Sequence, residues 1–199
     1  MIESERNKLI NRDSEYLSIG ITPGGALRRS VGVPWLGTAH AFNMKIPDVY
    51  LSPDDLQDEA LMELLQTYKV IGCYIWAPLK DYSFLAHFKY LRDINIKNGD
   101  AITNLDFLSE IYECRMLYLQ NATLENLNII VDVKKKSTAM FGGLRCVGLD
   151  NCVVKDLSVF ETEKVLFSEF LVWMPEGSNE SSRWDIVPAG TFKYFEFKE

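Results

Sequence analysis

One phrase recurs in this chain and constrains its fold more than any other feature. Leu91-Arg-Asp-Ile94-Asn-Ile96-Lys-Asn98 is answered by Cys114-Arg-Met-Leu117-Tyr-Leu119-Gln-Asn121 and by Leu144-Arg-Cys-Val147-Gly-Leu149-Asp-Asn151. Apolar residues occupy positions 1, 4 and 6, an Arg stands at position 2 and an Asn at position 8. The starts are spaced by 23 and 30 residues. Self-similarity of this kind marks stacked units that bury one continuous core. Weaker copies without the Asn begin at Val70, Phe167 and Phe192, where aromatic, degenerate units suit the two ends of a stack.

The physical content of the phrase is a short strand and its exit turn. Side chains alternate between faces along a strand, so positions 4 and 6 point into a core while 3, 5 and 7 point outward. Stacked phrases predict a parallel sheet lined on its inner face by Ile94, Ile96, Leu117, Leu119, Val147 and Leu149. Asn98, Asn121 and Asn151 are expected to be structural, since a short amide bonds nearby backbone and tolerates unusual dihedrals.

Beyond the Asn, two units continue alike, with Leu124, Leu127 and Ile129 matching Val154, Leu157 and Val159. The combined pattern, L-x-x-L-x-L-x-x-[NC]-x-L-x-x-L, resembles the leucine-rich repeat family over about residues 65–175. Position 9 is Gly99, Ala122 or Cys152. The chain departs from the family in placing its Asn at position 8 and in the long 30-residue unit. The resemblance implies an α/β solenoid with a parallel sheet, irregular capping segments and a role in protein recognition. A right-handed β-helix is the alternative architecture.

Residues 1–50 form a distinct N-terminal segment or cap, and 51–199 the repeats with an aromatic C-terminal cap, in one compact domain. Tyr16–Ile21 alternates like a strand, and Thr22-Pro-Gly-Gly25 reads as a turn, since no Lys-Ser/Thr follows the glycines to make a phosphate loop. Ser52-Pro-Asp-Asp55 is a helix start, and Leu56, Leu61, Leu65 and Tyr68 follow at helical spacing. Further short helices are expected over 82–89 and 105–113. Leu127, Ile129, Val131 and Val133 alternate and predict a strand ending at the solvated loop Lys134–Lys136. Pro175–Ser182 reads as an exposed loop.

The sequence offers little for catalysis. Cys73, Cys114, Cys146 and Cys152 lack metal-site spacing and read as reduced structural residues, with Cys146 the one facing outward. His40 and His87 have no nucleophile or carboxylate partner at a recognised spacing. No catalytic residue, cofactor or metal is expected. A net charge of −7 and a pI near 5.0 speak against general nucleic-acid binding. The absence of a long apolar run or a signal-like start predicts a cytoplasmic protein without a membrane span.

The outward columns carry the functional expectation. Position 2 holds Arg92, Arg115 and Arg145; position 5 holds Tyr74, Asn95 and Tyr118; position 7 holds Trp76, Lys97, Gln120 and Trp173. Tyr, Trp and Arg are enriched in interface hot spots. These residues are the expected contact surface for a protein partner of unknown identity, with self-association as a further possibility. For the arginines the plainer reading is that they brace the turns by bonding carbonyls or Asp93. Two alternatives stand beside recognition: an immunity- or antitoxin-type inhibitor, and a carbohydrate-active β-helix enzyme using Asp93, Lys97, Asp150 and Glu169.

Overall fold

The computed structural model describes residues 3–24, 46–136, 143–163, 167, 169–173 and 195–198. His40, Gly25 of the early turn, the expected loop 175–182 and the start of the last weak phrase lie outside the described residues.

Each phrase is a strand. In chain order the strands are β1 (Tyr16–Ile21), β2 (Val49–Leu51), β3 (Lys69–Ile75), β4 (Asp93–Ile96), β5 (Met116–Gln120), β6 (Thr123–Asn126), β7 (Cys146–Asp150), β8 (Val153–Asp156), β9 (Glu169–Trp173) and β10 (Phe195–Lys198). Eight of them form one open sheet in the order β10-β9-β7-β5-β4-β3-β1-β2, and every neighbouring pair is parallel. From β3 onward the order follows the chain, skipping only β6 and β8, which pair in a small parallel sheet of their own. β1 inserts between β2 and β3, so the N-terminal segment supplies the first strands of the sheet.

Register explains why the phrase repeats. Ile94 pairs with Leu117 and Leu117 with Val147, while Ile96, Leu119 and Leu149 line up two residues on. All six are fully buried, as the alternation predicts. Leu124 and Val154, the next matched pair, lie opposite each other in the small sheet. Leu127 and Leu157 then close the core behind it.

The asparagines end the strands. Asn121 and Asn151 take φ of 64° and 50°, a region that Asn enters more readily than most residues. Their amides also link the units. Asn98 Nδ2 donates to the Trp76 carbonyl at 2.5 Å, Asn121 Nδ2 to the Lys97 carbonyl at 3.4 Å, and Asn151 Nδ2 to Asn121 Oδ1 at 2.7 Å.

Three connections differ from expectation. The helix after Ser52 is broken: a 3-10 turn over Asp54–Gln57 precedes α2 (Glu59–Gln66). α1 is Glu3–Ile10. The break falls at Asp58, whose carboxylate caps α2 by accepting from the Leu61 N–H at 3.1 Å. Ser52 and Asp55 close the earlier turn reciprocally. The helices expected over 82–89 and 105–113 are short 3-10 turns, Ser83–His87 and Asp106–Glu110.

The third difference is larger. Residues 127–133 do not form a strand; Asn128–Lys136 is α3. The alternation of Leu127, Ile129, Val131 and Val133 concealed a stripe at helical spacing. Leu127, Ile130 and Val131 are the deeply buried residues, and Ile129 is only partly covered. Lys134–Lys136 is the last turn of α3, not a loop; there the cations face the negative end of the helix dipole. A short α4 (Val159–Thr162) follows β8. Among the described residues no helix is long and apolar enough to cross a membrane.

Candidate functional site

The outward face of the large sheet differs in chemistry from the inner one. Its middle column runs Tyr50, Gly20, Tyr74, Asn95, Tyr118, Gly148 and Leu171 across neighbouring strands. The glycines let large rings lie across the face. A Cβ on Gly20 would stand 2.8 Å from both Pro47 Cγ and Trp76 Cζ3. The ring of Tyr74 folds back over Gly72, where a Cβ would meet its Cε2 at 3.0 Å.

Two aromatic groups result. Trp76 lies 6.3 Å from Tyr74, stacked, and 6.5 Å from Tyr50. Towards the other end, Tyr118 and Trp173 lie 6.1 Å apart and pack with Met116, Leu171 and Cys146. Tyr74 and Tyr118, expected at the surface, do project from the outward face, yet they are 1% and 0% exposed. The row one step along each strand is more accessible: Trp76, Lys97, Gln120, Asp150 and Trp173 are all half-buried.

Asn95 stands between the two aromatic groups, paired with Tyr74 on one side and Tyr118 on the other. It is fully buried, and among the described residues neither its Nδ2 nor its Oδ1 has a hydrogen-bond partner. Leaving a buried polar group unsatisfied costs about 1–3 kcal/mol.

Tyr118 is also the centre of a polar cluster. Its hydroxyl donates to Asp150 Oδ2 at 2.5 Å and accepts from Lys97 Nζ at 3.2 Å. The same ammonium lies 4.4 Å from the Tyr118 ring centroid. Burial, together with the carboxylate that accepts its proton, pushes the Tyr118 phenol far up. Burial lowers the Lys97 ammonium below the ordinary lysine value, and the charge of Asp150 partly opposes this. The cluster can hold an anion or a hydrogen-bonding group.

Of the four residues considered for sugar chemistry, Lys97 and Asp150 meet at Tyr118. Asp93 sits in register with Gly72 and Met116, four residues earlier along its rung than Asp150 along its own, or about 13 Å of strand. That span exceeds the about 5–9 Å of a glycosidase carboxylate pair. Glu169 pairs in register with Cys146 on β9. Among the described residues no three His, Cys, Asp or Glu side chains gather in a metal-binding group.

The arginine column lies where the strands begin. The Arg115 N–H donates to the Arg92 carbonyl and the Arg145 N–H to the Arg115 carbonyl, each at 2.8 Å. Arg92 Nε reaches Glu113 Oε2 at 2.9 Å, and Arg115 approaches the same oxygen at 3.9 Å. Glu113 thus braces the first two arginines of the column. Beside this column stands a row that sequence reasoning missed: Tyr16, Lys69, Tyr90 and Tyr112. Tyr90 immediately precedes one phrase whereas Tyr112 lies two residues before another, so phrase alignment does not bring them together.

None of the four cysteines forms a disulfide among the described residues. Burial pushes the Cys73 thiol far up and those of Cys114 and Cys152 up to about 12, while Cys146 is half-buried on the outward face. His87 is exposed at the end of its 3-10 turn.

No protein-family model, curated protein or solved structure matches this chain.

Proposed function

We propose that this chain is a non-enzymatic recognition module, a solenoid of leucine-rich-repeat type that binds a protein partner through the outward face of its sheet. The observation that carries this reading is the buried, unpartnered amide of Asn95 on that face. Packing alone favours an aliphatic residue there, as on the inner face of the same strand. A polar group kept at that cost fits a surface retained for binding.

The half-buried row of Trp76, Lys97, Gln120, Asp150 and Trp173 supplies the contact chemistry. Two tryptophans frame a cation, an amide and a carboxylate; Gln120, Asp150 and Trp173 are the last residues of their strands, and Trp76 and Lys97 directly follow theirs. Rigid mounting lowers the entropy lost on binding. Buried Tyr74 and Tyr118 act beneath this row as props: one stacks on Trp76, the other holds Lys97 and Asp150.

A photo-crosslinking amino acid placed at Gln120, in the native cell, tests the reading. A discrete crosslinked protein from that position, absent when the crosslinker sits at exposed Glu125 of β6, is the expected result. A crosslink only to a second copy of the chain would replace a foreign partner with self-association. Equal yields from both positions, or none from Gln120, would overturn the proposal.

A further inference from the structure

The beginning of the strands forms a second surface of different character. Tyr16 opens β1 opposite Lys69, the first residue of β3. The Lys69 ammonium lies 5.4 Å from the Tyr16 ring centroid and 5.7 Å from that of Tyr90, so one cation holds two rings. The Tyr112 N–H donates to the Lys89 carbonyl at 2.7 Å, which sets Tyr112 one rung beyond Tyr90. Among the described residues these are the exposed tyrosines: 41% for Tyr16, 47% for Tyr90 and 84% for Tyr112. Beside them run Arg92 and Arg115, which share the single carboxylate of Glu113, with Lys89 exposed nearby.

This rim concentrates cations in a chain whose net charge is −7. Lys69, Lys89, Arg92 and Arg115 stand against Glu15, Glu113 and Asp93 here, four cations to three carboxylates, so the balance along the rim is slightly positive. A backbone hydrogen bond from Arg115 to Arg92 sets the two arginines on neighbouring rungs. Planar guanidinium forks match carboxylates in geometry, and exposed tyrosines add contact area at low entropic cost.

We propose that this rim is a docking site for an acidic polypeptide segment, with Arg92 and Arg115 taking carboxylates and Tyr90 and Tyr112 packing against the chain between them. A polypeptide fits better than a nucleic acid. Glu15 and Glu113 interrupt any continuous track for phosphates, and the acidic remainder of the chain repels a long polyanion. The proposal stands whether or not the sheet face binds a partner.

Fluorescence anisotropy with a labelled peptide of alternating Glu and Ala tests it, against the same peptide with Gln for Glu and an oligouridylate of equal length. The Glu peptide is expected to bind the full chain, weakening as salt rises, while the Gln peptide binds at least about tenfold more weakly. Arg92→Gln/Arg115→Gln should lose at least about tenfold in affinity, since charged contacts dominate. Tyr112→Ser, whose side chain is nearly all in solvent, should lose several-fold without unfolding. Lys155→Gln, on exposed β8 of the small sheet, should bind like the unaltered chain. Equal binding of the Gln peptide, tighter binding of the oligouridylate, or unaltered affinity in the folded arginine double variant would each overturn the proposal. Should that double variant fail to fold, unaltered affinity in Tyr112→Ser would do so.

Discussion

The two faces of the large sheet are made by the same strands, yet they obey different rules. On β4, Ile94 and Ile96 point one way and Asn95 the other; on β5, Leu117 and Leu119 oppose Tyr118. The inner face is apolar from β2 to β9, mostly aliphatic with Cys73 and Phe170 among its residues, and merges with one large core. The outward face mixes glycines, tyrosines, tryptophans, an amide and an ion cluster, and its apolar residues make only a small separate group. Burial alone therefore does not separate the faces, because Ile96 and Asn95 are equally inaccessible. The distinction lies in whether the buried atoms are satisfied: apolar groups need no partner, whereas Asn95 needs one and has none among the described residues.

Substitutions should reveal this contrast by size and by sign. The largest effect is expected on the inner face. Leu149→Ala should cost about 2–5 kcal/mol in urea unfolding, through lost burial and the cavity left behind. On the outward face the sign should reverse. Asn95→Val should raise stability by about 1–3 kcal/mol, since it replaces an unsatisfied buried amide by an apolar group of strand-forming shape. A destabilised Asn95→Val protein would show that the amide is satisfied in solution and would remove the difference between the faces.

A smaller effect should come from Lys97. Its folded-state value lies below the ordinary one, so the unfolded chain binds the proton more tightly. That contribution favours folding progressively more as pH rises through the folded value towards the ordinary lysine value. Lys97→Met should remove this rising component from the stability profile, measured by thermal melts at alkaline pH. An unchanged profile would mean that Lys97 titrates normally. The gentlest probe is covalent. Mass spectrometry of the native protein treated with iodoacetamide should show Cys146 modified first, with buried Cys73, Cys114 and Cys152 reacting only on unfolding. Modification of Cys73 at the rate of Cys146 would break the comparison.

Much of the inner face was legible in the sequence. Ile94, Leu117 and Val147 fall at one offset in each phrase, and an apolar period of two admits one reading once the units repeat. The turns were legible because Asn has few roles that suit a fixed place after a strand. α3 was not, since Leu127, Ile129, Val131 and Val133 satisfy both a strand and a helix period, and only the burial of Ile130 decides. Nor did spacing reveal the break at Asp58, where a local cap interrupts an otherwise helical pattern.

The candidate site was legible as residue types but not as geometry. Position in the phrase placed Tyr74, Asn95 and Tyr118 on the outward face; it did not indicate that they are buried. Tyr74 reaches back over Gly72, a relation between two positions of one strand. The meeting of Lys97, Tyr118 and Asp150 depends on three rungs being in register, across sequence separations of 21 and 32 residues. Tyr16 opens its strand whereas Tyr90 and Tyr112 precede theirs by unequal offsets, so the repeat that exposed the core concealed them.

The unequal connections have a consequence for how such a chain can change. Between β5 and β7 the path includes a short strand and a nine-residue helix, yet Leu117 still meets Val147 in the same register that joins Ile94 to Leu117 across a shorter excursion. Rung and excursion are thus separable: alignment is set by the strand and its asparagine, and the intervening length is nearly free. Because closing a longer loop costs only about 0.6 kcal/mol per doubling of its length, the excursion between β5 and β7 is a place where foreign sequence can be grafted, letting the molecule acquire new appendages while its framework is kept.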